Sequence, residues 1–487
     1  MKKNLFLILS ILSLIQFHAF SQYTSPGTGI SFTLDDLVTM SAGTVSLTDN
    51  DYHVNNTLTI SATDTLKIYT DGLMYIHEGI RVNIEGVFLS NPPNTFEIKR
   101  ANMENNFEGF RFDNSSASVL KNIIFTGGGG IKLVNSDLEI TNCEISNFGQ
   151  EYTTGAIDLF QSNPLIKDCS INNNAGPAIM SGANAESSPQ IIHNVINFNV
   201  SGNGNTPQIN LGTSDPLLSI LIDSNYIFGQ YEMAGGIAIS TLAGGNANAI
   251  ITHNHVNYNR YGIAQIGSNI STTISYNEIV ANNIQNDPMQ GGSGLNFAGI
   301  TNNTSIVSYN TIVQNLWGVT IQFNAIPNLG DGTNESLGHN MIYNNENNSQ
   351  IYALYNNTPE DIMALDNFWG TADLIEAEEY IYHQVDDPSL GLVSFAPIWS
   401  NPVGIEVNKA SESMQISPNP CTYYVEISNR LSPHMHYEIY NTNGRIFNKG
   451  ELTNGYRTIN TSEWPKGCYF IKTYSNESIS TQKLIVQ

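Results

Sequence analysis

Positive charge is scarce in this chain of 487 residues: 19 Lys and Arg stand against 43 Asp and Glu. Between Asp168 and Asn408 the one cation apart from histidine is Arg260. Nucleic acid is a poor partner for such a surface, because its phosphates need Lys and Arg to neutralise them. Cysteine is scarcer still, four residues in all, too few for a disulfide framework at this length. Beyond the opening segment no stretch is apolar enough to cross a bilayer, so no transmembrane anchor is expected. Charged residues make up only 13% of the chain and apolar ones 40%. That balance excludes disorder and leaves enough apolar surface for a large core plus a second domain.

The opening segment has its own pattern. Lys2 and Lys3 precede an apolar run from Leu5 to Phe17, and Ala19-Phe20-Ser21 supplies small-residue cleavage chemistry before Gln22. Residues 1–21 therefore read as a secretory signal peptide. No cysteine follows the cleavage site, which argues against a lipid anchor. The remaining chain carries 17 Lys and Arg against 43 Asp and Glu, a net charge of −26, which suits solubility outside the cell.

What the sequence does contain is a repeat. Asn194, Asn225, Asn254, Asn277, Asn310, Asn340 and Asn367 each sit in an apolar-x-x-Asn-x-apolar frame, at intervals of 31, 29, 23, 33, 30 and 27 residues. Traced backwards, the same position is held by Cys169, Cys143 and Ile123. Ten to fifteen residues after each comes a second frame, a small residue then apolar-x-apolar, as in Gly130-Ile131-Lys132-Leu133 and Gly236-Ile237-Ala238-Ile239. Each coil thus reads strand, Asn bend, strand, turn, strand, loop. Strands of period two cannot bury a face within one coil, so each coil must stack on the next. Asparagine suits the bend because it tolerates left-handed backbone angles and its amide bonds to the coils above and below.

The chain resembles, on these frames, the right-handed parallel β-helix repeat proteins of the pectin-lyase-like superfamily, over roughly residues 30–399. The expected fold is all-β, a parallel β-helix followed by a small antiparallel β-sandwich. Residues 22–118 form the N-terminal cap and first coils, with a short helix or turn near Asp35 to Met40 covering the open end. Residues 119–399 carry the repeats. Near their end Asp366-Asn367-Phe368-Trp369-Gly370 resembles a closing segment of such proteins. Leu374, Ala377, Ile381 and Val385, with Asp373 as N-cap, then predict a capping helix near 373–386.

Residues 400–413 are linker-like, and 414–487 differ in kind. Pro418-Asn419-Pro420, Gly444-Arg445, Gly467-Cys468-Tyr469 and Lys483-Leu484-Ile485-Val486 follow in the order of the motifs of a type IX secretion system C-terminal sorting domain, type A, which the segment resembles. The resemblance implies export by the type IX secretion machinery, with release or attachment at the cell surface. Asn443-Gly444 reads as its hairpin turn. Two cysteine pairs, Cys143–Cys169 on adjacent coils and Cys421–Cys468 in the tail, are each compatible with a bridge or with two buried thiols.

Chemistry is far less legible than architecture. In β-helix enzymes reactive residues project from the strand after the turn. Here that outward column reads Lys132, Asp158, Met180, Asn210, Ala238, Ala264, Asn296, Thr320, Tyr352. Lys132 and Asp158 are the best catalytic pair, and a cross-strand ion pair explains them more simply. Asp158 is the single acid of the column, whereas a glycosidase needs two neighbouring carboxylates. A lyase needs a base with a cation, and Arg260, in the turn before a strand, reads as a solvated structural residue.

Beside the Asn ladder runs a column of Asp168, His193, His253, Tyr276, Tyr309, His339 and Asp366. Its histidines stand too many coils apart to share a metal. Tyr226, Tyr231, Tyr258, Tyr261, Tyr276, Tyr309, Trp317, Phe323 and Tyr352 are candidate faces for sugar rings. Calcium is the cation that the insertions 201–217, 284–293 and 324–336 would hold, though no repeated Gly-Gly-x-Gly-x-Asp pattern is present. The expected function is a secreted or cell-surface module that binds carbohydrate or adheres through a surface glycan. The alternatives are a polysaccharide lyase or glycoside hydrolase, which fold analogy alone suggests, and a structural matrix protein.

Overall fold

A computed structural model describes residues 22–149, 155–400, 414–428, 434–441, 445–453, 456–462, 464–474 and 479–486. The expected signal peptide, residues 1–21, residues 401–413 of the expected linker 400–413, and the expected Asn443-Gly444 turn lie outside these residues. The chain divides into two compact units, one ending at Asn401 and one beginning at Pro402.

The first unit is a solenoid of three parallel sheets with 12, 13 and 14 strands, here sheets 1, 2 and 3 in the order the chain visits them. One coil shows the plan: Val119–Lys121 in sheet 1, Ile123–Thr126 in sheet 2, Ile131–Val134 in sheet 3. Apart from the antiparallel pair Val45–Thr48 and Asp51–Val54, each strand of the three sheets pairs in parallel with the same strand of the neighbouring coils, and the inward residues join one continuous core. Alternation does this locally, as in Phe96–Arg100, where Phe96 and Ile98 are buried and Glu97 and Lys99 are not.

Three corners join the sheets, and each is held by a stack of polar side chains pointing inward. At the corner between sheets 1 and 2 lies the asparagine ladder. Asn254 donates its backbone N–H and its Nδ2 to Asn277 Oδ1 (3.0 Å each) and Nδ2 again to Ile222 O (2.8 Å), and the pattern repeats from Asn194 to Asn367. The left-handed residue is not the asparagine but the one before it: Asp168, His193, His253, Tyr276, Tyr309, His339 and Asp366 have φ of 54–60°. That residue turns the chain so that the next side chain points into the core, which corrects the backbone role expected for the ladder itself. The cost of such angles, about 1–2 kcal/mol for an ordinary residue, is offset by the buried amide bonds.

A second ladder at the corner between sheets 2 and 3 escaped the sequence reading: Asn174, Asn199, Asn259, Asn282, Asn315 and Asn345, each five residues after a rung of the first. One coil lacks its asparagine: five residues after Asn225 stands Gln230, which is exposed, and at the buried Gly229 before it a Cβ would stand 2.7 Å from Asn259 Oδ1. Gln208 reaches across from sheet 3 to bridge the gap, accepting from Asn199 Nδ2 (3.1 Å) and donating to Asn259 Oδ1 (2.9 Å). At the third corner, in the early coils, buried Ser115, Ser136, Ser162 and Ser187 form a hydroxyl ladder.

Both ends are closed. Helix α1 (Leu34–Met40), with a Thr33–Asp36 capping box, buries Leu34 and Leu37 at the N-terminal end. The buried Asp64 carboxylate accepts from the backbone amides of Gly27, Thr28, Gly29 and Ile30 (2.8–3.0 Å) and pins the first segment. At the other end helix α2 spans only Leu374–Glu378, capped by Asp373 as expected but shorter than 373–386. The chain leaves it because Ile381 and Tyr382 pair with Leu354 and Tyr355 to add a strand to sheet 3, while Val385 is exposed. Trp369 is wholly buried.

The second unit is an antiparallel sandwich made from one seven-stranded sheet folded over its own core. A bridge from Cys421 to Val486 joins the first hairpin to the last strand. All four cysteines are free thiols, with Cys143, Cys169 and Cys421 buried. The Cys143 and Cys169 Sγ atoms point to Leu120 O and Ile140 O, the places that ladder amides occupy in later coils.

Candidate functional site

The outward column of sheet 3 runs in register through Arg111, Lys132, Asp158, Met180, then Asn210, Ala238, Ala264, Asn296, Thr320, and finally Tyr355 and Tyr382. Tyr355, not Tyr352, continues the expected column. The insertion after Asn345 makes its own small hairpin, Glu346–Asn347 against Gln350–Ile351, and shifts the strand start to Leu354.

Three regions follow one another along this column. In the early coils the outer side chains are ion pairs: Arg81–Glu108 at 3.0 Å, Arg111–Asp113 at 2.5 Å and Lys132–Asp158 at 3.8 Å. Lys132 and Asp158 are thus cross-strand neighbours whose charges face each other, and Asp158 remains the one acid of the column. In the middle coils Ala238 and Ala264 are buried although they point outward. Close by, Arg260 ties loops together: Nε donates to Gln285 Oε1 (2.6 Å), Nη2 to Gln290 O (2.8 Å) and Nη1 to Asn205 Oδ1. Arg260 is structural as expected, but it is buried rather than solvated, at 6% exposure.

The last coils carry rings. Trp317 lies 4.6 Å from Tyr352 and 5.3 Å from Tyr355, and Tyr355 stacks on Tyr382 at 4.8 Å and 11°. Trp317 Nε1 donates to Pro288 O (3.0 Å), which fixes the indole. All four rings are half-buried. Burial, then the neighbouring Tyr382 and Tyr352 and the Asp387 carboxylate, push the Tyr355 phenol up from its ordinary value, so it stays protonated. Thr320 donates to Asn296 Oδ1 (3.0 Å) one coil away, so a polar margin borders the rings.

The other aromatic candidates fall elsewhere. Tyr276 and Tyr309 belong to the bend column, where His253–Tyr276 (5.0 Å, 3°) and Tyr276–Tyr309 (4.8 Å, 5°) stack along the solenoid axis. Their faces cover one another, leaving edges to solvent. Tyr226 and Tyr258 pack with Phe228, Tyr261 lies against Gly235, and Phe323 stands alone and exposed. His193 pairs with Asp168 (2.5 Å), His253 with Asp223 (3.4 Å) and His255 with Glu278 (2.8 Å). The Glu278 bond outweighs burial and raises the His255 imidazole above its ordinary value.

In the sandwich, Asn419 of Pro418-Asn419-Pro420 holds the final strand, donating to Lys483 O (2.6 Å) and accepting from Ile485 N (2.8 Å). Tyr469 donates to Pro465 O (2.7 Å), Gly467 pairs with Val486, and Arg445 N donates to Asn441 Oδ1 (3.0 Å). Lys483 points to solvent. Gly444 lies outside the described residues.

Comparison with known families agrees with this architecture. Residues 45–215 match the model of the right handed beta helix region. Residues 216–373 match a family described as a protein of unknown function (DUF1565), and residues 415–487 the secretion system C-terminal sorting domain. No curated protein matches the chain. The protein is a right-handed parallel β-helix protein. It carries a type IX C-terminal sorting domain, which marks it for export to the cell surface or the medium. No helix among the described residues is long and apolar enough to cross a membrane.

Proposed function

We propose that the β-helix is a carbohydrate-binding, adhesive module that recognises glycan on the outer face of sheet 3 in its last coils. The observation that carries this reading is the group Trp317, Tyr352, Tyr355 and Tyr382, bordered by the Asn296 amide, which the buried Thr320 hydroxyl orients. Aromatic rings bury the C–H face of a pyranose, and amide and hydroxyl groups exchange hydrogen bonds with its edges. All of these side chains but Tyr352 stand on paired strands, so the face is ordered before a ligand arrives. Turnover finds less support. Lys132 and Asp158 neutralise each other, and a base with a partner already at 3.8 Å is poorly placed for proton abstraction.

Affinity electrophoresis of the full chain through gels holding a panel of polysaccharides tests the reading. Retardation by at least one glycan is expected, and it should be lost in a Trp317→Ala/Tyr355→Ala variant but kept in Lys132→Ala/Asp158→Ala. Release of reducing ends or of unsaturated uronate products by the wild type, abolished in the second variant, would overturn it in favour of a lyase or hydrolase.

A further inference from the structure

A cleft of about 400 Å³ opens at the corner between sheets 3 and 1, on the coils just before the aromatic face. Its walls include Ser214, Asn246, Asn248, Asn269, Ser271 and Asn302, with Glu186 as the one ionisable group of the lining. Part of this wall is ordered by its own bonds: Asn302 Nδ2 donates to Asn269 Oδ1 (3.1 Å), and Thr304 Oγ1 donates to Ser271 Oγ (3.0 Å). Asn269 and Asn302 hold left-handed angles (φ 56° and 53°), so the corner itself sets their direction. The backbone of Asn246 and Asn248 bonds to Ser214, while their side-chain carboxamides, both exposed, make no hydrogen bond among the described residues. A carboxamide offers two donors and an acceptor, the complement of neighbouring sugar hydroxyls.

The charge around the cleft narrows the ligand further. Residues 168–400 hold 19 Asp and Glu and a single Arg, Arg260. That Arg is buried, with its three guanidinium nitrogens engaged by Asn205, Gln285 and Gln290. A uronate or a sulfate would find no free cation here and would meet the field of the surrounding carboxylates. Glu186 has no cation beside it among the described residues, and it suits an ammonium group.

We infer that this cleft is a glycan subsite selective for neutral or amino-bearing sugars and closed to uronates and sulfated sugars. The inference rests on the glycan-binding reading above. Neutral or amino selectivity also places the protein outside the chemistry of uronate elimination.

The test is retardation of the full chain in gels containing a neutral β-glucan, chitosan or polygalacturonate, at matched ionic strength. Retention by the first or second and none by the third is expected. Asn246→Ala/Asn248→Ala, which removes no internal bond, should weaken retention at least tenfold, and Glu186→Gln should weaken only that by chitosan. Retention by polygalacturonate equal to the others, or a double variant that binds as the wild type, overturns the inference. If Trp317→Ala/Tyr355→Ala abolishes retention while the cleft variant does not, the subsite fails and the glycan reading stands. Absence of retention in every gel defeats both.

Discussion

The early and late coils of this solenoid share one backbone plan but solve its corners and its surface differently. Before Cys169 the corners are filled by serine, cysteine and apolar residues, and the outer faces by ion pairs such as Arg111–Asp113 and Lys132–Asp158. From Asn174 and Asn194 onward two corners carry asparagine ladders, cations vanish from the surface, and rings and amides take their place. The difference teaches that the late coils get their order from inside. Each rung satisfies its own amide and the backbone of two neighbouring coils, so the outer side chains are free of structural duty and available to a ligand.

The largest expected effect falls on the ladder. Asn277→Ala strips the buried Asn254 backbone N–H of its acceptor and removes the amide that donates to the Ile251 carbonyl, and should lower stability by roughly 3–5 kcal/mol in urea unfolding. Cys169→Ala, at the equivalent position of an early coil, loses a small buried side chain with weak donors and should cost about 1–2 kcal/mol. Equal losses would erase the contrast between the two regions.

A smaller effect belongs to the N-terminal closure. Burial pushes the Asp64 carboxyl up, but the Ser25 hydroxyl and the amides of Gly27, Ile30 and Gly29 outweigh it and hold it below its ordinary value. Its stabilisation is therefore complete above the ordinary value of 3.8 and is lost as the pH falls through the lower folded value. Asp64→Asn should cost about 2 kcal/mol at neutral pH and nearly nothing in strong acid, measured by unfolding midpoints across pH. A difference that grows as the pH falls would contradict the assignment.

Smallest of all is Lys132→Ala. A partly buried pair held only at 3.8 Å is worth about 1 kcal/mol or less, and salt should reduce it further. A loss well above that value would show that the early ion pairs are structural after all.

Most of the architecture was legible because one frame returns on every coil. The apolar-x-x-Asn-x-apolar spacing located the first ladder and the strands that flank it, and the small-residue frame located most strands of sheet 3. The second ladder was also present, at five residues after most rungs, but the break after Asn225, where Gln230 stands at that spacing, and its repair by Gln208 hid its continuity. Register failed where loops varied. Tyr352 stood in the frame expected of a strand, while the hairpin at 346–351 moved the strand to Tyr355, and Tyr382 joined sheet 3 only because α2 ends early. The platform combines residues 317, 352, 355 and 382 from three coils, and no local pattern links them. Arg260 read as solvated because its partners Asn205, Gln285 and Gln290 are remote in sequence.

The most direct test of the central claim is hydrogen exchange of the full chain with and without a glycan that retards it. The account predicts slowed exchange in the late coils, in residues 317–323 and 352–357 and in the loops around Asn246 and Asn302, with the strands around Arg111 and Lys132 unchanged. Protection centred on the early ion-paired coils would contradict it.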